Sequence, residues 1–391
     1  MTLRIPGLLD LQKVRAAFPV LEDVVYLNVG TYGIMPQPAL AAFQAIQAEF
    51  EQRGVAHSPK MGEKSEATRQ RIAALIGAEA DEIAFTRNAT DGINLVLAGL
   101  DWQPGDELII TDEEHEALNH PSLYLKKTKG IVVKRLPVSP QDDVMLARLE
   151  EAVTDRTRLV AMSLVSCETG TRLPAKAISA WAAERGILSL FDGAQVSGAM
   201  PLNVRELGCD FYASNGHKWL SGPKGSGFFY GKREKLSALS PAHVGAGSLE
   251  KVDLIEQTAE PFMTGQRFEF GTRAWPIQAG LGCSLDWFDS LGWTNVYNHI
   301  AALSDHLKDC IMERPFLRLL TPLAHEASSG LVAFVIEGHQ AQQVSQTLRE
   351  QHQIYTRVIP HFNALRIATA HFNAPEDLDK LMVGLEQIAR P

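Results

Sequence analysis

Cysteine is scarce in this chain. Only Cys167, Cys209, Cys283 and Cys310 occur among 391 residues, with no C-x-x-C or zinc spacing. That argues against a disulfide framework and fits reduced thiols in a cytoplasmic protein. Long apolar runs are missing as well. None approaches the roughly 18 residues of a membrane span, so no membrane partner is expected. Basic clusters are absent too: 37 Lys and Arg face 46 Asp and Glu, a net charge of −9. Nucleic acid is therefore not an expected partner. Residues 1–14 lack the basic start and long apolar middle of a secretion signal, so the Asn88-Ala89-Thr90 glycosylation sequon is discounted. There are no internal repeats and no low-complexity stretch.

What is present is ordinary globular composition, 45% hydrophobic and 21% charged. Apolar runs bounded by turn residues alternate with helical patterns from Ile83 to Tyr230. That alternation predicts an α/β fold with a mainly parallel sheet covered by helices on both faces. Strands are expected near 24–28, 83–86, 107–111, 131–136 and 158–165, and helices near 38–53, 66–75, 144–153 and 174–186. Residues 241–262 are polar and broken by Gly245 and Gly247, which predicts a loop able to cover a site. A helix at 276–291 is expected to lead into a smaller C-terminal domain.

Residues 187–230 concentrate the chemistry. One apolar run ends at Asp192 in Asp-Gly-Ala-Gln195. A second ends in Asn215-Gly-His217-Lys218, and a Gly/Pro turn and a third run follow. Ligand-binding groups gather at the carboxyl ends of strands in open α/β sheets. Taken alone, such an Asp and Lys make a surface ion pair as readily. Together they also suit pyridoxal phosphate, whose aldehyde takes a Lys amine and whose ring nitrogen takes an acid. Upstream, a strand, the turn Arg87-Asn-Ala89-Thr90-Asp91-Gly92 and a helix start form a phosphate-type site, where Thr90 can cap the helix, bind an anion, or both. Glu114-His115-Glu116-Ala-Leu-Asn119-His120 nearly spells a zinc helix, but Asn119 occupies the place of the second His, so no metal is expected.

Asp-Gly-Ala-Gln followed by Gly-His-Lys resembles the class V aminotransferases. These pyridoxal-phosphate enzymes include cysteine desulfurases, cysteine/cystine C–S lyases and isopenicillin N epimerase-like proteins. The resemblance covers most of the chain from Asn28 onward. It implies fold type I: a large domain, residues 20–275, with a seven-stranded sheet, and a small α+β domain, residues 276–391, with 1–19 alongside. It implies a homodimer with a shared active site and a small amino-acid substrate.

By the same resemblance, Lys218 would be the Schiff-base lysine, Asp192 would face the pyridine nitrogen, and His115 would stack on the ring. Gln195 would donate to the phenolic oxygen. Ala89, Thr90, Asn215, His217 and a neighbouring copy's Thr272 would hold the phosphate. Arg366 would bind the substrate carboxylate, its planar fork suiting two oxygens. Arg357, nine residues earlier, would take a second carboxylate as in the cystine lyases, or else form a structural ion pair. Asn28 lies on the substrate-side loop, or in a plain turn.

Three departures stand out. Asn215 replaces a usual Ser or Thr, and Cys167 stands where many members have Asn. No cysteine follows Cys310, so the loop that carries the desulfurase nucleophile has none. The expectation is therefore β-elimination from cysteine or cystine to give pyruvate and ammonia. Epimerase, aminotransferase, or a desulfurase-like protein without that cysteine are the alternatives. A non-catalytic binding module is disfavoured by the intact Lys218.

Overall fold

Near-continuous apolar strands need cover on both faces, and seven of them assemble into one sheet. The computed structural model describes residues 9–389. Across the sheet the order is Ile83–Thr86, Gly227–Gly231, Phe211–Asn215, Leu188–Asp192, Thr157–Ser163, Glu107–Thr111, Val132–Leu136. Gly227–Gly231 runs antiparallel to both neighbours, and every other pairing is parallel. This is the mainly parallel α/β sheet that the alternating pattern predicts.

Successive side chains point to opposite faces, which sorts the core. Leu108, Ile110, Leu159, Ala161 and Leu190 pack with Ile93, Val96 and Leu97 of the helix Ala89–Gly99. Ile109, Val160, Met162 and Phe191 face the other way, in one cluster with Ile178 and Ala182 of the helix Ala175–Glu184.

C-terminal to the helix Trp275–Leu291, an antiparallel sheet has the order Leu317–Leu319, Leu331–Ile336, Ala364–Ala368, Arg357–Ile359. The helices Trp293–Met312, Ala341–His352 and Pro375–Ala389 share its apolar core. Val25 and Leu27 belong to that core, and Val25–Tyr26 pairs parallel with Ile354–Tyr355. Residues 25–27, expected within 20–275, thus pack with elements that follow Trp275–Leu291. The expected division also includes residues 1–8 and 390–391, which lie outside the described residues.

Two local expectations are corrected. The helix expected at 66–75 runs from Ser58 to Ile76. Its buried face includes Ser65 and Thr68, and Ser65 donates to Gln278 at 2.6 Å, so apolar periodicity misses the first turns. The loop expected at 241–262 contains an antiparallel hairpin, Leu249–Asp253 with Thr258–Pro261. No helix among the described residues is long and apolar enough to cross a membrane.

Candidate active site

Four parallel strands end side by side at Thr111, Ser163, Asp192 and Asn215. The loops leaving them deliver His115, Cys167, Gln195 and Lys218. A small, tight cavity is lined by these four together with Ser163, Val165, Asp192 and Ala194.

Asp192 is buried and its Oδ1 accepts the Ala194 N–H at 2.8 Å. A Cβ on the intervening Gly193 would sit 1.9 Å from the Tyr212 ring, so Asp-Gly-Ala-Gln tolerates no side chain there. Lys218 is covered by the loop at 28–33. Gly33 donates to the His217 carbonyl at 2.8 Å, and a Cβ on Gly33 would lie 2.0 Å from the Lys218 oxygen. Burial pushes the Lys218 amine below the usual range; Asp192 opposes that shift and Arg366 adds to it. A larger neutral fraction makes a better nucleophile toward an aldehyde.

His115 caps the helix Glu116–Lys129. Its Nδ1 accepts the Ala117 N–H at 3.0 Å, which leaves the proton of a neutral ring on Nε2. Burial, with Lys218 second, lowers its pKa and favours that neutral ring. Gln195 is held between neighbours: Nε2 donates to the Gly30 carbonyl at 3.1 Å, and Oε1 accepts from the Trp219 indole at 2.9 Å.

Glu114 escaped the sequence reading. It is buried and accepts from Thr111 Oγ1 and Ser163 Oγ, each at 2.6 Å, and from the Ser163 N–H. It so ties together the ends of two strands. Burial outweighs these donors and, with the Asp192 charge nearby, holds its carboxyl up at about 7. The hint available in the sequence was its place next to His115.

At the start of the helix Ala89–Gly99, Asn88 caps the Asp91 N–H at 2.9 Å. The Ala89 N–H donates to Asn215 Oδ1 at 2.9 Å, so Asn215 keeps its amide nitrogen as a donor. Thr90 is exposed. His217 has its Nδ1 3.4 Å from the Ser226 carbonyl, and burial lowers its pKa. Thr272 lies in an adjoining cleft with Thr86, Arg87 and Ser226, outside the Lys218 cavity of its own chain.

On the substrate side, Arg366 is 5% exposed. Nη1 donates to the Cys167 carbonyl at 2.5 Å and Nη2 to Thr31 Oγ1 at 3.3 Å, while Nε is buried without a partner. Burial draws its pKa down to about 10, and the charge of Arg357 acts in the same direction. Arg357 faces Arg366 directly across the antiparallel pair. Asn28 meets Arg366 only through Thr31, whose hydroxyl donates to Asn28 Oδ1 at 2.8 Å. Thr31 belongs to the same loop as Asn28, Leu27-Asn28-Val-Gly-Thr31, and had no separate role in the sequence reading. The Cys167 thiol is buried, and desolvation raises its pKa to about 12.

These groups fit pyridoxal phosphate. A desolvated amine and a buried carboxylate share one cavity, and a helix N-terminus with an exposed Thr90 begins at the neighbouring strand pair.

Several known proteins resemble this chain over most of its length. The family model for aminotransferase class-V matches residues 35–381. A cysteine desulfurase of Pectobacterium atrosepticum is 31% identical, over 97% of this chain and 98% of its own length. The cystine C–S lyase C-DES, solved with its reaction product cysteine persulfide, superposes with a TM-score of 0.86 at 30% identity, over 94% of this chain and 98% of its own. A C-DES mutant carries glycine covalently linked to its pyridoxal-phosphate cofactor; its TM-score is 0.88 at 30% identity, over 95% and 98% of the two chains. The cysteine desulfurase CsdA of Escherichia coli gives 0.84 at 28% identity, over 97% and 98%. The chain belongs to the aminotransferase class-V family.

Proposed function

We propose that this protein is a pyridoxal-phosphate enzyme that breaks the Cβ–S bond of cysteine-type amino acids by elimination, with cystine as the best-fitting substrate. The observation that carries the reading is the pair Arg357 and Arg366, directly opposite on one sheet face, with Arg366 holding the carbonyl of Cys167, which lines the Lys218 cavity. Two guanidinium groups in that register suit a substrate with two carboxylates.

Pyridoxal phosphate supplies an aldehyde that captures the substrate amine and a ring that accepts the electrons of the Cα–H bond. Lys218 and Asp192 would hold its reactive end; Thr90, Asn215 and His217 would hold its phosphate, with Thr272 contributed by a second copy. Arg366 would fix the α-carboxylate through its unpaired Nε and its loosely engaged Nη2. Lys218 would act as the general base that takes the proton from Cα. The Cβ–S bond would then break with its electron pair on sulfur, which would take up a proton. Hydrolysis of the remaining three-carbon fragment gives pyruvate and ammonia. From cystine the departing half is cysteine persulfide.

Several relatives are named cysteine desulfurases, which makes that chemistry the second reading. It needs a thiol to accept sulfur. Cys167 is the one thiol lining the cavity, and burial keeps it protonated and a poor nucleophile. The test is product analysis with L-cystine, cysteine and thioethers. Pyruvate with matching ammonia is expected from L-cystine. Alanine with a protein-bound persulfide would establish the desulfurase instead. Deuterium at Cα of an intact substrate would mean epimerisation, and a requirement for an amino acceptor would mean transamination.

A further inference from the structure

Arg366 commits one arm of its guanidinium to the protein. Nη1 donates to the Cys167 carbonyl at 2.5 Å, and that carbonyl sets the plane in which Nε and Nη2 can meet a ligand. Whatever holds Cys167 therefore shapes the carboxylate site. Cys167 lies in the turn 166–171, which follows the strand Thr157–Ser163. Within the turn, the Ser166 N–H donates to the Thr171 carbonyl at 2.8 Å and the Gly170 N–H to the Ser166 carbonyl at 3.0 Å.

The turn needs a partner from outside. Ser166 Oγ accepts the N–H groups of Glu168 and Thr169, each at 3.1 Å, so its own proton must go elsewhere. It goes to Glu113 Oε2, which also takes the Thr169 hydroxyl at 2.6 Å. Ser166, Thr169 and Thr171 are buried, and Glu113 is half-buried between Thr111 and His115. From the opposite side, Thr321 Oγ1 donates to the Thr169 carbonyl at 2.5 Å and accepts the Ala333 N–H at 2.8 Å. Ala333 stands opposite Arg366 in the antiparallel sheet. Glu113 thus ties the turn to the seven-stranded sheet, and Thr321 ties it to the strands that carry Arg366.

We propose that Glu113 is a positioning residue for substrate binding: it holds the turn 166–171 so that the Cys167 carbonyl orients Arg366 toward the α-carboxylate. This rests on the part of the reading above that gives that carboxylate to Arg366. Glu113, Ser166 and Thr169 are not among the residues lining the Lys218 cavity, so the effect travels through Arg366. Without Glu113, the Ser166 O–H is buried with no acceptor, and the turn must shift to find one. Glutamine would serve in its place, because one amide oxygen has two lone pairs for the same two hydroxyls.

The experiment titrates the holoenzyme with L-alanine and with L-alaninamide, which has the same head without the carboxylate charge. Wild type is expected to bind L-alanine about 10-fold more tightly or better. Glu113→Ala should weaken L-alanine by about 5- to 10-fold and leave alaninamide within about 2-fold, and Glu113→Gln should bind both as wild type does. Thr169→Val should weaken L-alanine by about 3-fold, and Thr169→Ser should restore it. In an Arg366→Leu background, Glu113→Ala should change L-alanine binding by less than about 2-fold. Equal weakening of both ligands, a Gln variant as poor as the Ala variant, or an undiminished loss in the Arg366→Leu background overturns the proposal. Wild type without preference for L-alanine would remove the carboxylate role of Arg366 and this inference with it. A preference kept intact in Glu113→Ala would remove this inference alone. Alanine has no leaving group at Cβ, so pyruvate release from L-cystine tests the elimination separately.

Discussion

The floor and the rim of the site are built on different terms. The floor comes from neighbouring strand ends, and its polar groups are satisfied within the protein: Asp192 by Ala194, Glu114 by Thr111 and Ser163, Gln195 by Gly30 and Trp219. The rim is assembled from 28–33, 167–168 and 357–366, and it holds a buried guanidinium nitrogen with no partner. Buried polar groups are rarely left unpaired. A satisfied floor keeps reacting groups in fixed geometry, whereas an unsatisfied rim leaves a position for the substrate to complete.

That contrast can be broken at several points. Lys218→Ala should lower activity by about 1,000-fold or more and abolish the visible absorbance that borohydride fixes to the protein. A fixed chromophore in this variant would remove Lys218 from the floor. Arg366→Leu should cost about 100- to 1,000-fold in kcat/KM while the cofactor absorbance stays normal; loss of the absorbance would show that floor and rim are one unit.

Glu114→Gln probes how tightly the floor is tuned. The folded carboxyl titrates near 7, above its ordinary 4.5. A raised folded pKa gives stability that is full below the unfolded pKa and is lost as pH climbs through the folded one. In cofactor-free protein, wild type should lose stability relative to Glu114→Gln between about pH 4.5 and 7, by at most ~3 kcal/mol. Urea unfolding at pH 5 and pH 8 measures this, and a pH-independent difference would place Glu114 among ordinary carboxylates. The smallest effect belongs to the rim. Thr31→Val should raise KM by about 5-fold with kcat nearly unchanged, the scale of one weak hydrogen bond. A fall in kcat alone would contradict the contact with Arg366.

The floor was legible in the sequence to a degree the rim was not. Asp192 and Lys218 each follow an apolar run, and parallel strands place their carboxyl ends together, so linear order already puts both at one edge. Glu114 was not legible, because a glutamate beside a loop histidine reads as solvent-facing until Thr111 and Ser163 enclose it. Thr31 shared the substrate-side loop with Asn28, but nothing in that loop pointed to its partner Arg366, 335 residues away. The nine-residue spacing of Arg357 and Arg366 bracketed a turn, but their opposition depends on register. In the same way the polar stretch at 241–262 hid a hairpin, and Val25–Tyr26 gave no sign of pairing with Ile354–Tyr355.

The sequence by itself determined the alternating elements, the strand-end lysine and acid, and the want of a C-terminal cysteine. Local periodicity and turn residues suffice for these. Tertiary structure alone decided which nitrogen of Arg366 lacks a partner, which carboxyl is lifted by burial, and what stands opposite what across the small sheet. Those outcomes depend on desolvation and on contacts between distant segments, which no local pattern contains.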